Sequence, residues 1–393
     1  MTSGRYRWLL TVLRYGLCLA AAVFLVYTVP WHDHIRLHDG AETPLRLLEV
    51  TEAGFVVERD GTRVTLPPED IEHVTVRGAL VPRIEYGLPS VVLQCDAAGA
   101  IWAILLFLPV PLLAAIRLTW MLRVQTVRLS TWDSIKLTFA GNFFNFALPG
   151  MTGGDLIKAY YITRFTKHKT EAVTTIFLDR AVGLASLVLM AGVMIALTHN
   201  PQEFADLIAP LAVILGGLAL GTVIVYSRRI RRALRLRQLI ERLPMTHQLQ
   251  RIGEATLAMR QHKLLVIGSL ILTFILQTIV IISAIVMARA LGMHGSFAYF
   301  FIYIAIGFVI SAVPISPPQA IGVMEFFYVW FFTANELNTA SQAFALAVAV
   351  RLIQLIWALP GVLVPLLGAH MPKRSELQAL EEAEEPTGAV SGP

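Results

Sequence analysis

Residues 148–155 read Leu148-Pro149-Gly150-Met151-Thr152-Gly153-Gly154-Asp155, and Arg180 follows the acid by 25 positions. The pattern returns at residues 313–325 as Val313-Pro314-Ile315-Ser316-Pro317-Pro318-Gln319-Ala320-Ile321-Gly322-Val323-Met324-Glu325, with Arg351 placed 26 positions further on. Each copy has a Pro/Gly break, an acid just beyond it and a lone arginine inside the next long apolar segment. A charge in hydrocarbon is costly and is kept where it meets a partner or water. Apolar segments interrupted at matching places in two halves of a chain point to a transport site. The two copies decide the expected fold: an all-α polytopic membrane protein built as an inverted repeat.

The surrounding composition agrees. Of the 393 residues 56% are hydrophobic and only 15% charged, against about 25% charged in soluble domains. The deficit runs along most of the chain, which excludes a soluble domain with one anchor. Net charge is +5, and its placement says more than its size. The two cysteines, Cys18 and Cys95, fall in an apolar segment and at the end of a polar one. They suggest neither a disulfide nor a metal site.

A helix needs about 20 apolar residues to cross the bilayer core. Six segments qualify, at about 8–29, 98–118, 172–197, 206–226, 263–291 and 340–369. Two further stretches, 131–165 and 297–334, are interrupted by the repeated pattern. Basic residues cluster before and at the opening of the first span, over 117–136, over 158–169 and over 228–263. The positive-inside rule places all four clusters in the cytoplasm. The link His199–Asp206 carries no Lys or Arg and falls outside. Both flanks of 131–165 are basic, so this stretch is expected to dip in and return, and 297–334 to do the same from the other side. The result is two oppositely oriented re-entrant hairpins. The alternative, a full crossing by the first half of each hairpin, would put a strongly basic loop outside.

Four regions follow. Residues 1–30 are an N-terminal anchor helix, too long for the 7–15-residue core of a signal peptide. Residues 31–96 are a small extracytoplasmic β domain, with strand candidates at 46–50 and 71–76 and a hairpin over 55–66 about Asp60-Gly61. Residues 97–370 are the transmembrane domain. Residues 371–393 are an acidic, flexible cytoplasmic tail.

Asn142-Phe143-Phe144-Asn145-Phe146-Ala147-Leu148-Pro149-Gly150, followed by Gly153-Gly154-Asp155-Leu156-Ile157-Lys158, resembles the membrane region of the lysylphosphatidylglycerol synthase family, also called flippase-like or UPF0104 proteins. Asp179-Arg180 is similar to that family's acid–arginine pair, 313–325 to its second Pro/Gly–acid segment, and Arg351 to its late arginine. The resemblance covers roughly residues 98–369. Two departures stand out. Pro317-Pro318-Gln319-Ala320-Ile321-Gly322 replaces the usual Pro-Gly-Gly, and the cytosolic aminoacyltransferase domain of some members is not expected here. The resemblance implies a lipid or polyisoprenoid substrate with a charged or glycosylated head. It also implies a substrate site drawn from Asn142, Asn145, Pro149, Gly150, Gly153, Gly154, Asp155, Lys158, Asp179, Arg180, Gly322, Glu325 and Arg351.

Physical chemistry gives these residues a bland reading as well. A helix that starts after a break offers free amides and a partial positive charge to an anion such as a lipid phosphate. Asp155 could instead cap that helix itself, and Glu325 likewise. Arg180 and Arg351 could snorkel to the surface, or pair with Asp155, Asp179 or Glu325 and lower the cost of burial. The segment 228–242 reads as a basic helix on the cytoplasmic leaflet, with no fold for nucleic acid beside it. His32, Asp33, His34 and His38 read as a solvated loop. No P-loop, nucleophile elbow or cysteine–histidine signature is present, so no catalytic residue, metal or cofactor is expected.

The expected function is that of a lipid transporter of the inner (cytoplasmic) membrane, with both termini cytoplasmic. Two rivals remain open: a membrane-embedded subunit of a lipid-modifying transferase with Asp155 or Glu325 as base, and an accessory protein that presents lipid to a separate enzyme. Oligomeric state is not legible.

Overall fold

The computed structural model describes residues 16, 19–20, 22–37, 45–51, 54–59, 61–76, 79–82, 84–124, 127, 129–147, 153–165, 169–199, 201–226, 263–311, 321–334 and 338–366. The breaks at 148–152 and 312–320, the basic segment 228–262 and the tail lie outside them, as do Pro149, Gly150 and Cys18.

After helix α1, described over residues 22–28, the chain forms a small β structure. Strands β1 (His34–Ile35), β2 (Leu45–Thr51), β3 (Gly54–Arg59), β4 (Thr62–Leu66), β5 (His73–Val76), β6 (Ala79–Pro82) and β7 (Ile84–Glu85) make two sheets. The larger has the order β4-β3-β2-β1-β7 and the smaller pairs β5 with β6. The hairpin about Asp60-Gly61 is present: Arg59 pairs with Thr62 and Phe55 with Leu66. Gly61 has φ 75°, the left-handed conformation that a tight turn asks of glycine. Alternation along the strands sends Ile35, Leu47, Phe55 and Val57 inward, where they meet Ile71. Ile35, Val57 and Ile71 are fully buried, each worth about 1.5–3 kcal/mol. The strands expected at 46–50 and 71–76 are there; β1, β6 and β7 are too short or too polar to announce themselves. Helix α2 (Leu88–Leu93) follows, its entry fixed by Asp33, which accepts from the Gly87 amide at 2.7 Å and the Ser90 hydroxyl at 3.0 Å.

The rest is helical. Helices α3 (Ala97–Phe107), α4 (Pro109–Val124), α5 (Thr131–Ala147), α6 (Gly153–Phe165), α7 (Lys169–Leu197), α8 (Ala205–Tyr226), α9 (Lys263–Ala290), α10 (Phe297–Ser311), α11 (Val323–Thr333) and α12 (Ala340–Ala358) follow, with a 3₁₀ turn over Leu359–Val362. Among the described residues three helical stretches are long and apolar enough to cross a membrane: Ala97–Val124, Leu264–Ala290 and Ala340–Val362. Shorter apolar helices run over Val182–Leu197, Ala205–Gly217, Phe297–Ser311 and Val323–Thr333. Large apolar side chains such as Trp102, Leu197, Val213 and Leu264 are exposed along these helices, a surface suited to lipid and not to water. This is a polytopic helical membrane protein.

The Ala97–Val124 stretch is jointed. Pro109 and Pro111 have no amide to donate, and Leu108 donates to the carbonyl of Leu105 at 3.1 Å in place of a full α-helical bond. The bypassed carbonyl of Ile104 accepts from Trp357 Nε1 at 2.8 Å, and the neighbouring carbonyl of Ala103 also accepts from the Ser283 hydroxyl at 2.8 Å. In hydrocarbon a backbone acceptor without a partner is expensive, so these two side chains stabilise the joint.

The chain divides into two compact units. One holds the sheets with residues 284–296 and 322–351; the other holds 103–283, 297–321 and 352–393.

Candidate functional site

In the larger unit, α5 (to Ala147) and α6 (from Gly153) lie on either side of the Pro/Gly break, whose residues 148–152 are outside the described ones. The helices run antiparallel in close contact. Gly154 donates its amide to Asn145 Oδ1 at 2.9 Å. A Cβ on Gly154 would sit 1.8 Å from the Gly141 carbonyl oxygen, and one on Gly141 would sit 2.2 Å from Lys158 Cε. Glycine at both positions lets α6 settle on α5 and lets the lysine stem cross over Gly141. Helix α6 needs a cap at its N-terminus, a role that Asp155 could have filled. Asn145 supplies that cap from across the hairpin, and Asn142 lies half-buried one turn before it.

The carboxylate of Asp155 is thereby left for cations. Its Oδ2 accepts from Arg180 Nη1, and its Oδ1 lies 3.5 Å from Lys158 Nζ. Asp155 is buried, with Lys158 and Arg180 only partly exposed. The pairing expected from the 25-residue spacing is present within the repeat.

Asp179 has a different partner. Arg117 Nε lies 2.7 Å from its Oδ1, and Arg117 Nη2 donates to its Oδ2 at 2.7 Å, a two-point fork. Arg117 also donates to the Thr273 hydroxyl at 3.1 Å. In the sequence Arg117 stood with the basic flank of a span; the structure buries it in α4 and ties it to α7 and α9. Its position in an apolar run, with Asp179 as the matching acid, was the available signal.

In the smaller unit Glu325 spends each carboxylate oxygen separately. Oε2 accepts from the Gly322 amide at 2.8 Å, and Oε1 lies 2.8 Å from Arg351 Nη2. Gly322 has φ 87°, which favours glycine at this N-cap. Capping and pairing are both present here. Tyr328, one turn beyond Glu325, is fully buried, and its hydroxyl makes no hydrogen bond among the described residues.

The model of the lysylphosphatidylglycerol synthase TM region matches residues 85–361. The chain belongs to this family. The match starts earlier and ends earlier than the motifs alone suggested, running from β7 into the 3₁₀ turn after α12, and it includes every residue of both clusters. Comparison with curated proteins gave no match, and comparison with solved structures gave none. No group of three or more His, Cys, Asp or Glu with metal-site geometry occurs among the described residues.

Proposed function

We propose that this chain moves a lipid, or a polyisoprenoid carrier, with a charged or glycosylated head across the cytoplasmic membrane. One observation carries the reading: Asp155 at the start of a helix that follows a break, held by both Arg180 and Lys158 in an apolar interior. A carboxylate with two cations can release one and stay compensated by the other. Arg180 then offers its guanidinium to a lipid phosphate, which it binds in two-point fashion, while Lys158 remains on Asp155. Glu325 and Arg351 form the equivalent element of the second repeat.

Helix lengths support the re-entrant reading. At about 1.5 Å per residue, α6 with 13 residues and α11 with 11 reach only about 20 Å and about 16 Å, short of the roughly 30 Å core. The full proposal is six spans with two oppositely oriented re-entrant hairpins, both termini cytoplasmic and residues 31–96 outside. A single cysteine placed at Arg235 tests the topology in intact cells; labelling from outside would overturn it.

The function is tested in reconstituted vesicles with fluorescent anionic and cationic lipids. Faster leaflet exchange of at least one class, lost in Arg180→Ala, supports transport. Exchange no faster than in empty vesicles would move the reading to an accessory protein that presents lipid. Covalent change of the lipid would move it to a transferase subunit.

A further inference from the structure

The unit that holds the sheets contains a cavity of about 1400 Å³. Its wall comes from the end of the first helix, strands β1, β3 and β7, the turn after α2, residues 289–294 and the segment around the start of α12. None of the residues in the two charged clusters lines it.

The wall is fixed by its own bonds. Asn338 and the backbone of His294 exchange two hydrogen bonds, at 2.7 and 2.9 Å. Gln342 donates to the carbonyls of Leu291 and Gly292 at 3.3 and 3.1 Å. Asp96 accepts from the amides of Ala98 and Gly99, and its own amide donates to the Ala290 carbonyl at 2.9 Å. Arg289 donates to the Met293 carbonyl at 3.1 Å. A wall built this way needs little ordering when a ligand enters.

Among the described lining residues are two arginines and two acids: Arg36, 3.0 Å from Glu85, then Arg289 and Asp96. These described charges offset one another and by themselves favour neither an anion nor a cation. The lining also presents groups with both donor and acceptor character. His34, Gln94 and Tyr86 line the cavity, and the Tyr86 ring adds a flat apolar face. Burial and the nearby Asp33 carboxylate push the Tyr86 phenol up, so it keeps its proton. The volume exceeds the roughly 300–1,000 Å³ of ordinary small-molecule sites, which suits a head of several rings better than a bare phosphate.

We propose that this cavity binds a neutral, polyhydroxylated glycosyl group, with hydroxyls on His34, Gln94 and Tyr86 and a sugar face against Tyr86. The site does not depend on whether the protein moves lipid.

The test uses the full chain in phospholipid nanodiscs and a dodecyl maltoside carrying a diazirine on the first tail carbon. Probes with the same tail but a phosphate or phosphocholine head serve as comparisons. Adducts from the maltoside probe are expected on peptides from 27–36, 82–96 or 338–342, displaced by unlabelled dodecyl maltoside. The double variant His34→Phe with Gln94→Leu should weaken labelling about fivefold for each hydrogen bond lost, with an unchanged melting temperature. Displacement by free maltose at equal potency would assign the site to a soluble sugar; displacement by the maltoside alone assigns it to a glycolipid. Both outcomes uphold the glycosyl chemistry. Equal or stronger labelling by the phosphate or phosphocholine probe overturns it, as does unchanged labelling in the double variant. None of these readouts uses lipid exchange, so failure here leaves the transport proposal standing.

Discussion

Asp179 and Arg180 are neighbours in the chain and serve different ions. Residues one apart on a helix point about 100° from each other, so Asp179 meets Arg117 on α4 while Arg180 meets Asp155 on α6. A dipeptide that reads as an acid–arginine pair is in fact two half-pairs, and α7 is bound through them to two helices. The Asp179 fork is the closed one, with both carboxylate oxygens on one arginine. The Asp155 carboxylate is shared between two cations, Arg180 and Lys158.

If Asp155 and Arg180 act as partners, their losses will not add. Asp155→Ala leaves Arg180 without its carboxylate and should impair lipid exchange more than removal of one arginine in 228–242. Asp155→Ala with Arg180→Ala should lose less stability than the sum of the single variants, by about 0.5–3 kcal/mol. Thermal unfolding in detergent measures this. Simple additivity would mean the two are not coupled.

Arg117→Leu or Asp179→Leu alone strands a buried charge, which costs about 3–5 kcal/mol. Replacing both should restore most of the melting temperature, since an apolar pair of similar volume is often neutral there. A double variant as unstable as the singles would show that the pair does more than neutralise itself.

Gly154→Ala pushes a methyl against the Gly141 carbonyl, where backbone and not a flexible side chain must give way. A loss of at least about 1–3 kcal/mol is expected. Gly216→Ala and Gly217→Ala, whose new methyls meet nothing within 4 Å, are the controls. Equal melting temperatures for Gly154→Ala and Gly216→Ala would refute the close approach of α5 and α6.

Glu325 has two tasks that substitution can separate. Glu325→Gln keeps an oxygen for the Gly322 amide and loses the charge that faces Arg351; Glu325→Ala loses both. The alanine variant should be less stable than the glutamine variant by about 0.5–2 kcal/mol, the worth of a cap. Melting temperatures that coincide would remove the capping role.

Trp357→Phe leaves the Ile104 carbonyl without its donor at a proline-broken turn. A loss of about 1–3 kcal/mol is expected, deepened when Ser283→Ala is added. Unchanged unfolding of the double variant would show that the joint is satisfied another way.

Much of this was legible in the residues. Described helices lie on either side of both Pro/Gly breaks, as the backbone cost of proline and glycine leads one to expect. The Asp60-Gly61 hairpin follows from one dipeptide's tolerance of a tight turn. The spacings 155–180 and 325–351 indicated pairs because an unpaired arginine in hydrocarbon is too costly to keep. Arg117 escaped because an arginine near the end of an apolar run looks the same whether it faces headgroups or a buried acid. Asn145 as the cap of α6 escaped because its partner lies across a turn, where helical spacing gives no guidance. The cavity escaped entirely, since its wall joins residues more than 300 positions apart.

The joint at Leu108 has one more consequence. Ser283 lies on α9 and Trp357 on α12, and both donate to α3 beside the proline break. The three stretches long enough to cross a membrane are thus bolted together at one level, by bonds that surrounding hydrocarbon cannot exchange for water.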